Sequence, residues 1–567
     1  MTKKRWVVES RLPSESAAAL RDYHPLVAQM LYNRQVRDGQ AAALYFGAQL
    51  AQPEDPLRLT GMGLAVDRLR HAIRTGERII VYGDYDTDGV TATALLVQVL
   101  TALGAAVHRY IPDREEEGYG LNSAALRTIR DEGGRVVITV DCGVRAQTEA
   151  ETALQLGLDL IITDHHEPGG DLPRALAIIN PKQAGDEYPY KGLAGVGLAF
   201  KLAQGLIRPM SPRPGIAASD VLDLVALGTV ADLAPLTGEN RSLVRQGLGI
   251  MNGRLKREGL KAMFEVARVK RGRVDATTIG YVLGPRLNAA GRLESAMAAY
   301  DLMMAASAPA ALPLAMQLEQ QNRDRQELTR RTQARAREIA LSDRGDGALL
   351  FAVDPEFKSG VVGLAAARLT DEFYRPAVVA SQGGAETRGS GRSIPEFHIT
   401  SALDQVKHLM IRHGGHAAAA GFTAANENVA ALSAGLKEIA ARELGGQDLR
   451  PTLRVDVDEV VLADLTPALL DALQQFEPCG YGNPAPVLAS RGLRVSDWKT
   501  VGGEGKHLKL SLTDGRVTHE AIAFGQAQQW VAHTAHTVDV AYTVEWNEWN
   551  GQRRVQLNVK SVEPSPS

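Results

Sequence analysis

Cysteine is almost missing from this chain of 567 residues. There are two, Cys142 and Cys479, far apart and neither in a C-x-x-C pair. That argues against a disulfide scaffold and a thiolate zinc site, and fits a reducing compartment. Long apolar runs are lacking too: no stretch nears the ~18 uninterrupted apolar residues of a membrane helix. The basic start, "MTKKRWVVESRLPSESAAAL", has no apolar segment behind it as a secretory leader would. The expectation is a soluble, cytoplasmic protein with no membrane contact. Neither sign of charge is in excess, with 63 basic residues against 66 acidic ones and a net charge of −3. A uniformly basic nucleic-acid binder is excluded, but not a local basic groove, which a whole-chain sum hides. Hydrophobic residues at 45% are ample for buried cores, and the length suits about two to four domains.

The order of apolar runs and turns predicts an α/β architecture with a β-rich end. After an Ala- and Leu-rich helical segment within 1–50, strand and helix alternate through 51–240. "RIIVYG", "AAVHRYIP", "RVVITVDCG" and "LDLIITDHH" read as strands. "GVTATALLVQVLTALG", "NSAALRTIRDEG" (capped by Asn122) and "TEAETALQLG" read as helices between them. Strands that are apolar throughout and alternate with helices predict a mostly parallel sheet covered on both faces. Residues 241–345 read as a helical connector ending in one long helix, "LPLAMQLEQQNRDRQELTRRTQARAREIALS". A second α/β domain follows over 346–447, with strands "GALLFAVD", "PAVVAS" and "TRGSGRS". Residues 448–567 hold short strands, "LRVDVDEVV" the first, joined by Gly and Asp-Gly turns, the pattern of an OB-type barrel.

Charged residues gather where three of the apolar strands stop. The first strand runs into "GDYDTDG", with Asp84, Asp86 and Asp88. The second motif is "VDCG", with Asp141, and the third "TDHHEP", with Asp164, His165 and His166. A fourth candidate, Asp232, lies in "LGTVADLAPLTGEN". In an open parallel sheet, strand ends converge on one crevice at the carboxyl edge. Carboxylates packed together raise one another's pKa, a conflict that divalent cations remove. Carboxylate oxygen with imidazole nitrogen suits Mn²⁺, or Mg²⁺. Two ions sharing a bridging Asp would activate water for hydrolysis of a phosphodiester or phosphoanhydride.

In order and in strand context, these four motifs resemble those of the DHH phosphoesterase family. "PRLNAAGRLES", "GSGRSIPEFHI" with "HGGHAAAAGF", and "LQQFEPCGYGNPAPVL" are similar to its branch of single-stranded-DNA exonucleases. The resemblance implies a parallel-sheet DHH domain, a long linking helix, a DHHA1 domain and an OB domain. It implies that Asp88, Asp141, His165 and Asp232 bind one metal ion and that Asp86 and Asp141 bind a second, with Asp84 beside them. His166 would meet the scissile phosphate or assist the leaving oxygen, with Asp141 and Asp86 as its catalytic companions. Arg114 would bind DNA phosphate; Arg286, Asn288 and Arg292 would line the site. Ser390, Arg392, Ser393, Gly415 and His416 would form a phosphate pocket in the DHHA1 domain. The implied activity is metal-dependent hydrolysis of single-stranded DNA from the 5′ end to 5′-mononucleotides in recombination and repair, with single-strand-binding protein and a helicase as partners.

Two positions depart from the pattern. Lys358, in "DPEFKSGVVGLAAARL", stands where such chains usually place a His, and Tyr82 where some relatives place a metal-binding His. Two rival readings are a phosphodiesterase for short oligonucleotides or cyclic dinucleotides and a non-catalytic DNA-binding scaffold. The first would need neither the long linker nor a C-terminal barrel; the second would show lost carboxylates. Two further stretches bear on DNA contact. "GRLKREGLKAMFEVARVKRGR" carries eight basic residues and two glutamates between Arg254 and Arg273, either a track for a DNA strand or a solvated helical face. The Arg-rich stretch Arg323–Arg337 is expected to form intrahelical pairs on an exposed rod. The C-terminal region holds Trp498, Trp530, Trp546 and Trp549, with Lys506, His507 and Lys509. Base stacking beside a basic groove would use such residues, although Trp498 and Trp546 fall where a barrel core is expected.

Overall fold

Five short parallel strands fix the position of every candidate ligand of the first unit except Asp232. The computed structural model describes residues 3–47, 54–114, 116–208, 215–293, 295–342, 347–531, 537–549 and 552–565. It divides into two compact units, residues 49–325 with 477–484, and residues 1–48, 326–476 and 485–567. The first unit contains β1 (Arg78–Tyr82), α1 (Thr87–Ala102), β2 (Ala106–Tyr110), α2 (Ser123–Asp131), β3 (Gly134–Val140), α3 (Gln147–Gln155), β4 (Asp159–Thr163) and β5 (Ala177–Ile179). The sheet order is β2-β1-β3-β4-β5, with every pair parallel. Alternation along the strands sends Ile79, Val81, Val136 and Ile138 to one core and Ile80, Tyr82, Val137 and Ile162 to another. Both faces are therefore covered, as apolar parallel strands require. β2 differs from expectation: it is an edge strand, and Ala106, His108 and Arg109 are exposed. Asn122 caps α2 as expected, its Oδ1 accepting from Ala125 N at 2.7 Å.

Helices α4 (Gly195–Ile207), α5 (Leu222–Ala231), α6 (Gly238–Asn252), α7 (Glu258–Val266) and α8 (Gly284–Leu293) belong to the same unit. The basic stretch around α7 is partly internal. Arg257, almost fully buried, donates through Nε to Asp223 at 2.8 Å and through Nη1 to Met303 O at 2.8 Å. Lys261 pairs with Glu258 and Lys256 with Asp220. Arg257 thus locks helices together instead of facing a strand of DNA.

The linking helix α9 (Ala308–Ser342) has 35 residues and includes Pro313 near its start. Arg323–Glu319 and Arg331–Glu327 are the expected i,i+4 pairs. It is not a bare rod, however. Its first half contributes Ala311, Ala315 and Leu318 to the core of the first unit. Its second half packs Ala336 and Ala340 into the second unit, where Arg335 and Arg337 also pair with Asp354 and Glu372.

In the second unit, β6 (Leu350–Asp354), β7 (Ala377–Gln382), β8 (Glu386–Arg392), β9 (Arg412–Gly415) and β10 (Ala419–Ala425) form a sheet in the order β9-β10-β8-β7-β6. β11 (Leu488–Val501), β12 (His507–Thr513), β13 (Thr518–Ala523), β14 (Thr537–Trp549) and β15 (Gln552–Pro564) close the expected barrel. "LRVDVDEVV" does not join it: Thr452–Val455 pairs in parallel with Arg5–Val8, a strand ahead of the expected N-terminal helices. Trp498 is not core but 43% exposed, beyond a bulge at Val495/Asp497 in β11. Trp530 is buried. Trp546 is half-buried beneath the Arg553 guanidinium, 4.4 Å from the ring centroid. The side chain of Trp549 lies outside the described residues. Among the described residues, no helix is long and apolar enough to cross a membrane.

A candidate metal centre at the carboxyl ends of the strands

The chain passes from β1 outward to β2 and then returns to the other side of β1 as β3. That reversal opens a crevice beyond the carboxyl ends of β1 and β3. The acidic motifs sit on these ends. Asp84, Asp86 and Asp88 follow β1, Asp141 follows β3 directly, and Asp164, His165 and His166 follow β4. Asp232 arrives from outside the sheet, as the residue capping the C-terminus of α5. The partial negative charge of that helix end favours a cation at the same point.

Three overlapping groups form, within each of which one ligand atom per residue lies within 4.8 Å of the others: Asp84 with Asp86 and Asp141; Asp88 with His165 and Asp232; and Asp141 with His165 and His166. Asp84, Asp88 and Asp141 are buried. Asp141 adopts φ +63°, a backbone cost that non-glycine residues bear mainly where surrounding structure imposes it. Two carboxylates of "GDYDTDG" also organise backbone. Asp86 Oδ1 accepts from Asp88 N and Gly89 N at 2.9 and 3.1 Å, capping α1. Asp88 accepts from Gly195 N at 2.7 Å and Val196 N at 2.8 Å, pinning the start of α4. Gly195 is required there: a Cβ would lie 2.7 Å from Asp141 Cβ.

The donor set passes a direct test of fit to divalent cations. Asp141 Oδ1 and His165 Nε2 lie 3.0 Å apart, yet both are buried without a hydrogen-bond partner, as is Asp84 Oδ1. Lone pairs that face one another at this distance without a proton between them are what a shared cation reconciles. Electrostatics agree. Burial and neighbouring carboxylates, Asp86 foremost, push Asp88 up to about 7. Burial followed by Asp88 and Asp86 pushes Asp232 up to about 9. Asp84 and Asp141 rise well above the ordinary range for the same reasons. Burial and the His166 charge push His165 down to about 3, leaving it a neutral nitrogen ligand.

Asp164 stands apart from the three groups. Its Oδ2 accepts from Val144 N at 2.9 Å, and its Oδ1 meets His166 Nδ1 at 2.8 Å. Burial opposes protonation of His166, but this bond and the surrounding carboxylates outweigh it and raise the pKa. Tyr82 is not a ligand. Its hydroxyl donates to Gly120 O and accepts from Asn122 Nδ2, and its ring stacks on Tyr110 at 5.0 Å. Arg114 covers the Tyr85 ring at 5.0 Å from the centroid, with Asp84 close enough to feel its charge. Asn288 Oδ1 accepts from Thr87 N and Oγ1, both at 2.8 Å, and so braces the loop after β1 from α8. Arg292, also on α8, acts electrostatically on Tyr85. Arg286 turns to the linking helix, donating to Glu319 at 2.6 Å and Val282 O at 2.7 Å.

In the second unit, Arg392 Nη1 donates to Ser390 Oγ at 2.8 Å, Ser393 Oγ donates to Phe397 O, and β10 places Gly415 opposite Ala420. His416 and Lys358 are exposed. Sequence reading missed Tyr119, whose hydroxyl donates to Asp141 O at 3.2 Å.

A parallel sheet whose strand ends gather Asp and His into adjoining groups able to hold cations, on a chain that also carries a smaller α/β domain and a closed barrel, defines a DHH phosphoesterase. Residues 78–229 match the N-terminal domain of the DHH family, residues 346–442 the DHHA1 domain and residues 457–561 the RecJ OB domain. The chain belongs to the RecJ family of single-stranded-DNA-specific exonucleases. It is 36% identical to RecJ of Bacillus subtilis over 99% of this chain and 71% of that one. With RecJ of Salmonella typhimurium it shares 34% identity over 99% of this chain and all of the relative. The crystal structure of Thermus thermophilus RecJ in complex with Mn²⁺ superposes with a TM-score of 0.84 at 30% identity, covering 100% of this chain and 80% of that one. An exonuclease RecJ bound to manganese superposes with a TM-score of 0.61 at 35% identity, over 70% of this chain and 99% of that one.

Proposed function

We propose that the protein is a metal-dependent exonuclease that hydrolyses single-stranded DNA from the 5′ end to 5′-mononucleotides in recombination and repair, in the cytoplasm. Single-strand-binding protein and a helicase are its proposed partners. The observation that carries the reading is the pair of unpartnered donors, Asp141 Oδ1 and His165 Nε2, within a cluster of carboxylates. Asp88, His165 and Asp232 would hold one ion with Asp141, and Asp84 and Asp86 the second, Asp141 being shared. Two divalent cations, Mn²⁺ or Mg²⁺, would supply charge neutralisation and acidify water there. Asp164 holds His166 beside the cluster as the residue that meets the scissile phosphate or the leaving oxygen. Arg114, with Arg292 and the Asn288-braced loop, would orient the strand, and Ser390, Arg392, Ser393, Gly415 and His416 would bind phosphate in the second unit. Arg286, already paired with Glu319, would act by holding α8.

The barrel favours this reading over a phosphodiesterase for dinucleotides, which has no use for one. Its DNA contact would rest more on exposed Trp498 than on Lys506 and Lys509, which pair with Glu504 and Glu520. A long 5′-phosphorylated single strand should be consumed to mononucleotides with Mn²⁺, far faster than a dinucleotide. Preference for the dinucleotide would overturn the proposal.

The raised carboxyls couple metal, pH and stability. Folded Asp88 and Asp232 titrate at about 7 and about 9, whereas unfolded Asp titrates near ~3.9. Between these limits the cation-free fold binds more protons than the unfolded chain, so its stability falls as pH rises. Cations compete with the same protons and bind more tightly as pH rises. The gap in Tm between Mn²⁺-loaded and chelated protein should widen from about pH 6 to about pH 9. A constant or narrowing gap would contradict the ligand assignment.

A further inference from the structure

Between β2 and α2 the chain holds a loop that none of the metal groups uses, and one residue of it reaches the reacting centre. Tyr119 stands between Gly118 and Gly120, both at positive φ, +83° and +91°. This backbone, costly for other residues, throws the tyrosine over the crevice. The loop is braced from below. Tyr82 donates to Gly120 O at 3.0 Å, and Glu117 accepts from Tyr110 OH at 2.7 Å and Asn122 Nδ2 at 2.8 Å. Tyr119 as a residue is 55% exposed, yet its hydroxyl has two partners: it donates to Asp141 O at 3.2 Å and lies 3.3 Å from His166 Nδ1.

Proton bookkeeping assigns these contacts. A phenol has one proton, and the Asp141 carbonyl can only accept it. The Tyr119 oxygen therefore meets His166 Nδ1 as an acceptor. The Asp164 carboxylate, 2.8 Å from the same nitrogen and already accepting from two backbone N–H groups, also accepts. Nδ1 carries the proton, held between two oxygens, and Nε2 is the ring nitrogen without a partner among the described residues. The hydroxyl also ties the backbone at the end of β3 to the ring at the end of β4.

We infer that Tyr119 is a positioning residue of the hydrolytic site, whose hydroxyl, anchored on the Asp141 carbonyl, locks the His166 ring so that Nε2 faces the substrate. This rests on the exonuclease reading for its substrate but not for its geometry. Tyr119→Phe removes one oxygen and keeps the ring. It should lower kcat on single-stranded DNA about 10- to 100-fold, the usual effect of losing an outer-shell partner, with KM and Mn²⁺ affinity unchanged. In a His166→Ala background the same change should cost nothing further, because the hydroxyl acts through the imidazole. Wild-type kcat in Tyr119→Phe, or an equal loss in both backgrounds, would overturn the inference. Should the wild-type protein fail to cleave DNA at all, the exonuclease reading falls, and the Nδ1–H resonance of His166, assigned by difference against His166→Ala, still decides. The lock predicts a slowly exchanging proton in the wild type that broadens in Tyr119→Phe; identical resonances would refute it.

Discussion

Asp141→Ala is expected to lower cleavage of single-stranded DNA by at least ~10³-fold, about 4 kcal/mol of transition-state stabilisation, while leaving DNA binding measurable. The expectation follows from position. Asp141 belongs to two of the three ligand groups, and its Oδ1 is one of the buried atoms left without a partner. Under the proposed assignment, its removal would take a ligand from both cation sites together. It also takes one charge from a cluster in which burial and Asp88 already oppose its ionisation. The cation-free fold should therefore be no less stable, and phosphate should meet less repulsion. Cleavage assayed beside strand binding separates the two effects. Retention of a tenth or more of wild-type cleavage would remove Asp141 from the centre.

The second large effect is expected from a residue with no side chain. Gly195→Ala places a methyl 2.7 Å from Asp141 Cβ and 2.9 Å from its Cγ. Either Asp141 moves or the start of α4 moves, and α4 donates both backbone hydrogen bonds to Asp88. Overpacking of this kind costs ~1–3 kcal/mol, and a displacement of ~1 Å at a reacting centre costs about 100-fold in rate. A lowered Tm together with about 100-fold weaker cleavage is the expected outcome. Mn²⁺ affinity should fall as well, because ligands of both sites are disturbed. Wild-type rate and Tm in Gly195→Ala would show that α4 does not set the ligand geometry.

Legibility in the sequence follows from how local each cause is. β1, β3 and β4 could be read because a strand buried on both faces carries a near-continuous apolar run, as Ile79–Val81 and Val136–Ile138 do. Their ends could be read because the apolar runs stop there abruptly and charged residues begin. Arg5–Val8 could not: a strand of four residues takes its identity from Thr452–Val455, 447 positions later. Trp498 was misplaced because a bulge, invisible to alternation, resets the pattern of β11. Arg257 looked like surface charge because its partner Asp223 is distant in sequence. Likewise, nothing local to "TDG" announces that Asp88 will pin the start of α4 107 residues on. Tyr82 looked like a lost ligand but is a brace, holding the loop that carries Tyr119. The G-Y-G triplet was the available signal for that loop, since two flanking glycines mark a backbone that places one side chain.

The carboxylates and imidazoles at the strand ends are proposed to form a two-cation centre joined by Asp141. The most direct test is equilibrium Mn²⁺ binding to the full chain, with hydrolysis of a 5′-phosphorylated single strand followed in the same samples. Two ions should bind per chain, activity should rise with occupancy and disappear on exhaustive chelation, and Asp141→Ala should lose high-affinity binding. Full activity after chelation, or unchanged stoichiometry and affinity in Asp141→Ala, would contradict it.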